Sequence, residues 1–225
     1  MREIQLNINS EGYKKIDNNI FELNNKILEE FEIIYNDKKY NSNGHKNTAI
    51  INNLNELKKF NYLEKLNKNI LNLIKNNKIK NIQFDDIWFV KSVESIYEPR
   101  KLPYVPHIDK VRKIKAMVYL NDVTIEDGPL FITKVDPNIY ENFRKELKPD
   151  YKKRQENEVK NLNIKDYSPL FGKFGTTIFF DTNAPHFAGK IHNKNSLRKI
   201  IRFNFRVKPE NYFKKIVKKI LKINL

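Results

Sequence analysis

The sequence predicts an α+β fold whose core is an antiparallel sandwich or barrel. Two observations carry this. Residues 11–35 and 48–76 set apolar side chains at helical spacing, and from residue 82 the pattern changes to short runs rich in Ile, Val, Phe, Trp and Tyr, broken by turn signals. Helices first and short sequential strands second is the order expected of an α+β chain.

In order along the chain, Ile16, Ile20, Leu23, Ile27, Leu28 and Phe31 predict a helix over 11–35. A polar loop follows, "NDKKYNSNGHKN". Ile51, Leu54, Leu57, Leu63, Leu66, Ile70, Leu73 and Ile74 predict helix again over 48–76, so residues 1–80 read as mainly helical support. "IQFDDIWFVKSVESIYE" reads as a strand ending before Pro99, "KIKAMVYLNDV" as a second and "GPLFIT" as a third, with "DGP" marking the turn ahead of it. Residues 138–166 are charged and helix-like, and are long for a connection. They read as an insertion within the 82–207 core, a candidate lid or a solvated hairpin. "GKFGTTIFFDTNAPHF" and "LRKIIRFNFRV" supply the last strands. The chain therefore reads as one domain over 1–209, with 210–225 beyond it.

Composition narrows the classes. Hydrophobic residues make up 40% of the 225, enough for a core, which argues against global disorder. There is no cysteine, so disulfides and thiolate metal sites are excluded. No stretch approaches the roughly 20 apolar residues of a membrane span, and "MREIQLNINSEGYKK" lacks an apolar signal core. The expected location is cytoplasmic. The formal charge of +16 points to nucleic acid or an anionic membrane. However, lysine and asparagine are spread together over the whole chain, which reads as compositional bias, and nucleic acid is not the expected partner. The exception is "NYFKKIVKKILKINL", residues 211–225. There Phe213, Ile216, Val217, Ile220 and Leu221 form an apolar stripe flanked by lysines. Such a basic amphipathic helix either lies on an anionic membrane, at its inner face, or docks on the domain.

The chemistry centres on "PYVPHIDKVRK". On a strand, His107 and Asp109 point to the same face, and an imidazole nitrogen and a carboxylate oxygen so placed can reach one metal. Alone, the pair reads more readily as a buried histidine bonded to a nearby aspartate. A second histidine would complete a two-histidine, one-carboxylate set with open positions, which suits non-haem Fe(II). His186 follows an apolar strand and a turn, and Arg198 opens the next strand, where a guanidinium can hold a carboxylate through two hydrogen bonds. His192 is a rival to His186, and Arg202 a rival to Arg198. His45 lies in a polar loop.

Read together, these residues resemble the Fe(II)/2-oxoglutarate-dependent oxygenases, in the phytanoyl-CoA dioxygenase-like branch. "HIDKVRKIKAMVYLNDVTIEDGPLFI" is similar to that branch's H-x-D, apolar strand, acidic turn and G-P-L. "GTTIFFDTNAPHFAG" with "NKNSLRKIIRFNF" is similar to its closing block, and the resemblance covers residues 85–207. It implies a double-stranded β-helix, jelly-roll or cupin-like, between the helical N-terminal part and the C-terminal amphipathic helix. It implies Fe(II) held by His107, Asp109 and His186, with 2-oxoglutarate and O2 as co-substrates. The distal carboxylate of 2-oxoglutarate would meet Arg198, with Ser196 assisting; Met117 and Tyr119 point one way on their strand, either toward the cofactor or substrate or into ordinary core packing. By strand alternation Arg202 and Asn204 share the Arg198 face of their strand, where they read either as substrate contacts or as a solvated sheet edge. The implied reaction is hydroxylation of an unactivated C–H in a small-molecule, glycan-linked or lipid-linked substrate. A nucleic-acid demethylase of the same superfamily and a non-catalytic binding module are the alternatives. The branch's P-G-S-H is absent after the G-P-L strand, where the text is "LFITKVDPNIY", and Thr176 stands where an aspartate is usual. The phytanoyl-CoA substrate therefore does not carry over.

Overall fold

The computed structural model describes residues 4–17, 19–42, 47–79, 81–93, 102–146, 158–192 and 196–208. The predicted helix over 210–225, residues 147–157 of the 138–166 insertion and His45 lie outside these residues. No helix among them is long and apolar enough to cross a membrane.

The chain begins with a short helix α1 (Ile8–Glu11) and strand β1 (Tyr13–Ile16), then helix α2 (Asn25–Asn36) and strand β2 (Thr48–Ile51). Helices α3 (Leu54–Leu57) and α4 (Asn61–Asn76) lead into strands β3 (Ile82–Ser92), β4 (Lys113–Tyr119) and β5 (Leu130–Thr133). Helix α5 (Glu141–Glu146) precedes β6 (Tyr167–Leu170), β7 (Thr177–Asp181), β8 (His186–Ala188) and β9 (Arg198–Val207). All strand pairs are antiparallel. They form a six-stranded sheet, β1-β7-β4-β9-β3-β2, and a three-stranded sheet, β6-β5-β8. The result is a jelly-roll-like sandwich with a helical layer.

Both faces of the large sheet are covered, which explains why β7 is buried at every position. Its outer face sends Ile87, Phe89, Ala116, Val118, Phe179, Ile201, Phe203 and Phe205 against Ile27, Phe31 and Ile34 of α2 and Leu63, Leu66, Ile70 and Ile74 of α4. Its inner face meets the small sheet through Met117, Tyr119, Ile178, Phe180 and Ile200, packed with Leu130, Ile132 and Leu170. Strand alternation thus gives β9 one apolar face for the helices and another that carries Arg198, Ile200, Arg202 and Asn204 inward.

The N-terminal part departs from the mainly helical expectation. Residues 13–16 pair with β7 as an edge strand, and residues 48–51 pair with β3. Helix α2 begins only at Asn25, where the Asn24 side chain accepts a hydrogen bond from the Lys26 N–H. Ahead of it, the Asn19 side chain bonds both the N–H and the C=O of Leu23 and closes a turn. The Ile16–Ile20–Leu23 spacing fits a helix, but sheet pairing and local Asn bonds override it. At 48–51, the β-branched "TAII" is used in the sheet instead. Within 138–166, the described helical segments are Pro137–Tyr140, Glu141–Glu146 and Ile164–Asp166, all of them short.

Candidate metal centre

His107 and His186 are brought together by backbone pairing. They oppose each other in an antiparallel bridge. His107 N donates to His186 O at 3.0 Å, and His186 N donates to His107 O at 2.9 Å. Directly opposed residues put their side chains on the same face, and the two imidazole centroids lie 4.5 Å apart. Asp109 is fixed nearby by its N–H, which donates to Thr182 O at 3.0 Å. Ile108, between the two polar residues, points the other way into a small cluster with Tyr140 and Val159.

Both rings are oriented alike. His107 Nδ1 lies 2.7 Å from Val105 O, and His186 Nδ1 lies 2.9 Å from Ala184 O. A carbonyl accepts only, so each Nδ1 carries the proton and donates. Each Nε2 is then left with its lone pair. Both Nε2 atoms face Asp109 Oδ1, at 3.9 Å from His107 and 3.8 Å from His186. One donor atom from each of the three residues lies within 4.8 Å of the others.

The electrostatics keep these groups in their ligating forms. Burial lowers the pKa of His107, and burial together with the neighbouring His107 lowers that of His186 well below its ordinary value. Both are therefore neutral at pH 7. Burial works against ionisation of Asp109, but the Lys115 ammonium is the strongest opposing influence, and the carboxyl stays well below the usual range. Lys115 Nζ sits 2.6 Å from Asp109 Oδ2, and burial brings the lysine down to about 8. Two imidazole lone pairs and one carboxylate oxygen converging on a point fit a first-row divalent metal with open positions. The carbonyl bonds at Nδ1 are the kind of support that metal-binding histidines carry.

The inner face of the large sheet surrounds this cluster in rows set by the register. Asn204 lies between Asp86 and Lys115, Arg202 between Trp88 and Met117, and Ile200 between Val90 and Tyr119, while Arg198 pairs with Ser92. Arg198 is 7% exposed. Its Nη2 donates to Ser92 Oγ at 3.3 Å, and its Nε has no hydrogen-bond partner among the described residues. Arg202 stacks on the Trp88 ring with its Cζ 4.1 Å from the centroid, and its Nε likewise has no partner there. Asn204 donates from Nδ2 to Asp86 Oδ1.

Other residues singled out from the sequence sit differently. Met117 packs in the intersheet core. Tyr119 is fully buried, and its hydroxyl donates to Leu170 O. The Ser196 hydroxyl bonds Asp127 Oδ1 rather than Arg198. His192 is not part of the three-residue cluster. Lys115, Ser92, Trp88 and Asp86 were not singled out. The one available signal was Lys115, a charged residue in step with the inward-facing Met117 and Tyr119 of an otherwise apolar strand.

No family model matches the chain, and no curated protein matches its sequence. Solved structures do. One is the epimerase SnoN in complex with Fe3+, alpha ketoglutarate and nogalamycin RO, with a TM-score of 0.59 at 12% identity over 88% of this chain and 79% of that one. Another is EvdO2 from Micromonospora carbonacea var. aurantiaca complexed with 2-oxoglutarate, with 0.57 at 13% over 90% and 89%. A third is the non-heme alpha ketoglutarate dependent carbocyclase SnoK from nogalamycin biosynthesis, with 0.56 at 14% over 88% and 80%. At these identities the likeness is one of fold.

Proposed function

We propose that the chain is an Fe(II)- and 2-oxoglutarate-dependent oxygenase acting on a small molecule. The observation that carries the reading is the convergence of His107 Nε2, His186 Nε2 and Asp109 Oδ1, with both Nδ1 atoms tied to carbonyls. These three residues would hold the metal and leave positions free for 2-oxoglutarate and O2. Iron so held supplies the oxidation of an unactivated C–H, with 2-oxoglutarate and O2 converted to succinate and CO2. Arg198 would take the distal carboxylate: it is buried, its fork is only partly used, and a charged pair in a dry pocket is strong and directional. Met117, Ile178, Phe180 and Ile200 keep water from the inner face.

The motif text of residues 85–207 supports the phytanoyl-CoA dioxygenase-like branch and hydroxylation as the outcome. SnoN and SnoK are an epimerase and a carbocyclase, so the fold accommodates other fates for the oxidised carbon. The substrate's position decides among them.

The test is conversion of 2-oxoglutarate to succinate by the Fe(II)-loaded protein. Activity is expected for the wild type and its loss in His107→Ala, Asp109→Ala and His186→Ala. Undiminished turnover in any of the three would remove that residue from the metal set, and in all three it would end the proposal.

A further inference from the structure

The geometry points to Arg202 as the receptor for an oxyanion on the substrate, so that the molecule oxidised is a small acid. This deepens the oxygenase reading and rests on it. Two guanidinium groups, Arg198 and Arg202, face inward from β9 with one inward residue, Ile200, between them, and each has an Nε without a hydrogen-bond partner among the described residues. Buried polar groups are ordinarily hydrogen-bonded, so each is poised for a ligand. One molecule of 2-oxoglutarate chelating the metal offers one remaining carboxylate. It satisfies one of the two arginines and leaves the other.

Arg202 is the one left over because of what surrounds it. The carboxylates that act on it, Asp109 and Asp86, are already engaged by other groups. Lys115 holds Asp109 at 2.6 Å, and Asp86 accepts from Asn204 and lies 3.7 Å from Lys113, whose nearer partner is Asp85 at 2.6 Å. The Arg202 guanidinium lies over the Trp88 indole, with its Cζ 4.1 Å from the ring centroid. Stacking leaves the N–H edges available in the plane of the group, where a carboxylate or phosphate meets it with two parallel bonds. The next inward residue, Asn204, is 1% exposed and presents an Oδ1 acceptor without a partner among the described residues. Inward positions two residues apart on a strand are separated by about 6–7 Å. The substrate this pair fits carries an oxyanion for Arg202 and, about that far away, a hydroxyl or amine for Asn204. A hydroxylated or aminated carboxylic acid and a phosphorylated polyol both meet the description.

The test uses the full chain loaded with Ni(II) and 2-oxoglutarate, so that the metal and the co-substrate's arginine are occupied. It is titrated calorimetrically with inorganic phosphate and, separately, with acetate. Saturable binding of at least one is expected, and the stronger of the two identifies a tetrahedral or planar anion. In Arg202→Met the affinity should fall at least tenfold while 2-oxoglutarate affinity stays within threefold of wild type. Arg202→Lys, which keeps the charge and loses the fork, should fall between. No anion binding in the wild type, or equal binding in Arg202→Met, overturns the proposal. A melting temperature lowered in Arg202→Met with anion binding intact assigns Arg202 a packing role and also overturns it. If Arg202→Met abolishes 2-oxoglutarate binding while Arg198→Met retains it, Arg202 belongs to the co-substrate and the inference fails. A wild type that binds no 2-oxoglutarate ends the oxygenase reading instead. Phosphate and acetate titrations of the metal-free chain then decide by themselves whether Arg202 receives an anion.

Discussion

Lys115 Nζ lies 2.6 Å from Asp109 Oδ2, while Asp109 Oδ1 faces the Nε2 atoms of His107 and His186. The carboxylate is therefore divided, with one oxygen facing the two imidazoles and the other held by an ammonium. Lys115 is a positioning residue that keeps Asp109 from offering both oxygens. Removing one partner of a buried pair leaves an uncompensated charge, at a cost of about 3 kcal/mol. Lys115→Met is expected to lose about that much stability in the metal-free protein and to regain most of it when Ni(II) or Co(II) binds. Denaturant melts with and without metal check this. Equal loss in both states would reduce Lys115 to a packing residue.

Arg198 is predicted to act on 2-oxoglutarate and not on the metal. Arg198→Lys keeps a charge but loses the two-pronged geometry. It should raise the Kd for 2-oxoglutarate about tenfold, equivalent to roughly 1.4 kcal/mol, with Arg198→Met weaker still and metal affinity unchanged in both. Calorimetric titration of 2-oxoglutarate into the Ni(II)-loaded variants measures it, and an unchanged Kd would exclude Arg198 from the co-substrate site.

Glu32 ties helix α2 to the large sheet, 2.7 Å from Lys91 on β3 and 2.8 Å from Lys199 on β9. Burial pushes its pKa up, but the two ammonium groups outweigh burial and hold it below the ordinary 4.5. The unfolded chain then binds more protons than the folded one between the folded pKa and 4.5, so stability rises with pH across that window. The contribution is complete above about pH 4.5 and disappears as pH falls through the folded pKa. Glu32→Gln should flatten the melting temperature against pH between pH 3 and 5; a slope equal to that of the wild type would show that the pair contributes nothing.

Gly128 and Gly189 are expected to be intolerant of alanine. Gly128 has φ +66°, and a Cβ there would stand 2.5 Å from Gly189 O. At Gly189 a Cβ would meet Phe131 Cε2 at 2.8 Å and Pro129 O at 2.9 Å. The turn after "ED" and the segment after β8 thus fit together only without side chains. Gly128→Ala, which adds left-handed strain to the clash, should cost about 1–3 kcal/mol in denaturant unfolding. A cost within the scatter of surface substitutions would show that the turn adapts.

The sandwich was legible because β-branched and aromatic runs between turn signals survive in the text of residues 82–92, 113–119, 130–133, 177–181 and 198–207. The N-terminal edge strands were not. In isolation, "YKKI" and "TAII" carry too few residues to separate a strand from the start of an amphipathic helix, and their identity came from pairing with β7 and β3.

By itself the sequence singled out the candidate site residues. His107, Asp109, His186 and Arg198 stand out together because their order and spacing, with the strand text between them, resemble the motif set of a known oxygenase family. That Arg202 and Asn204 share the Arg198 face followed from strand alternation, while the inward direction of that face came from the structure. Only the tertiary structure decided what those groups do to one another. The His107–His186 bridge, the division of Asp109 between two imidazoles and Lys115, and the Arg202–Trp88 stack all join residues distant in the chain. Alternation along one strand fixes which way a side chain points, but the register between strands fixes what it meets.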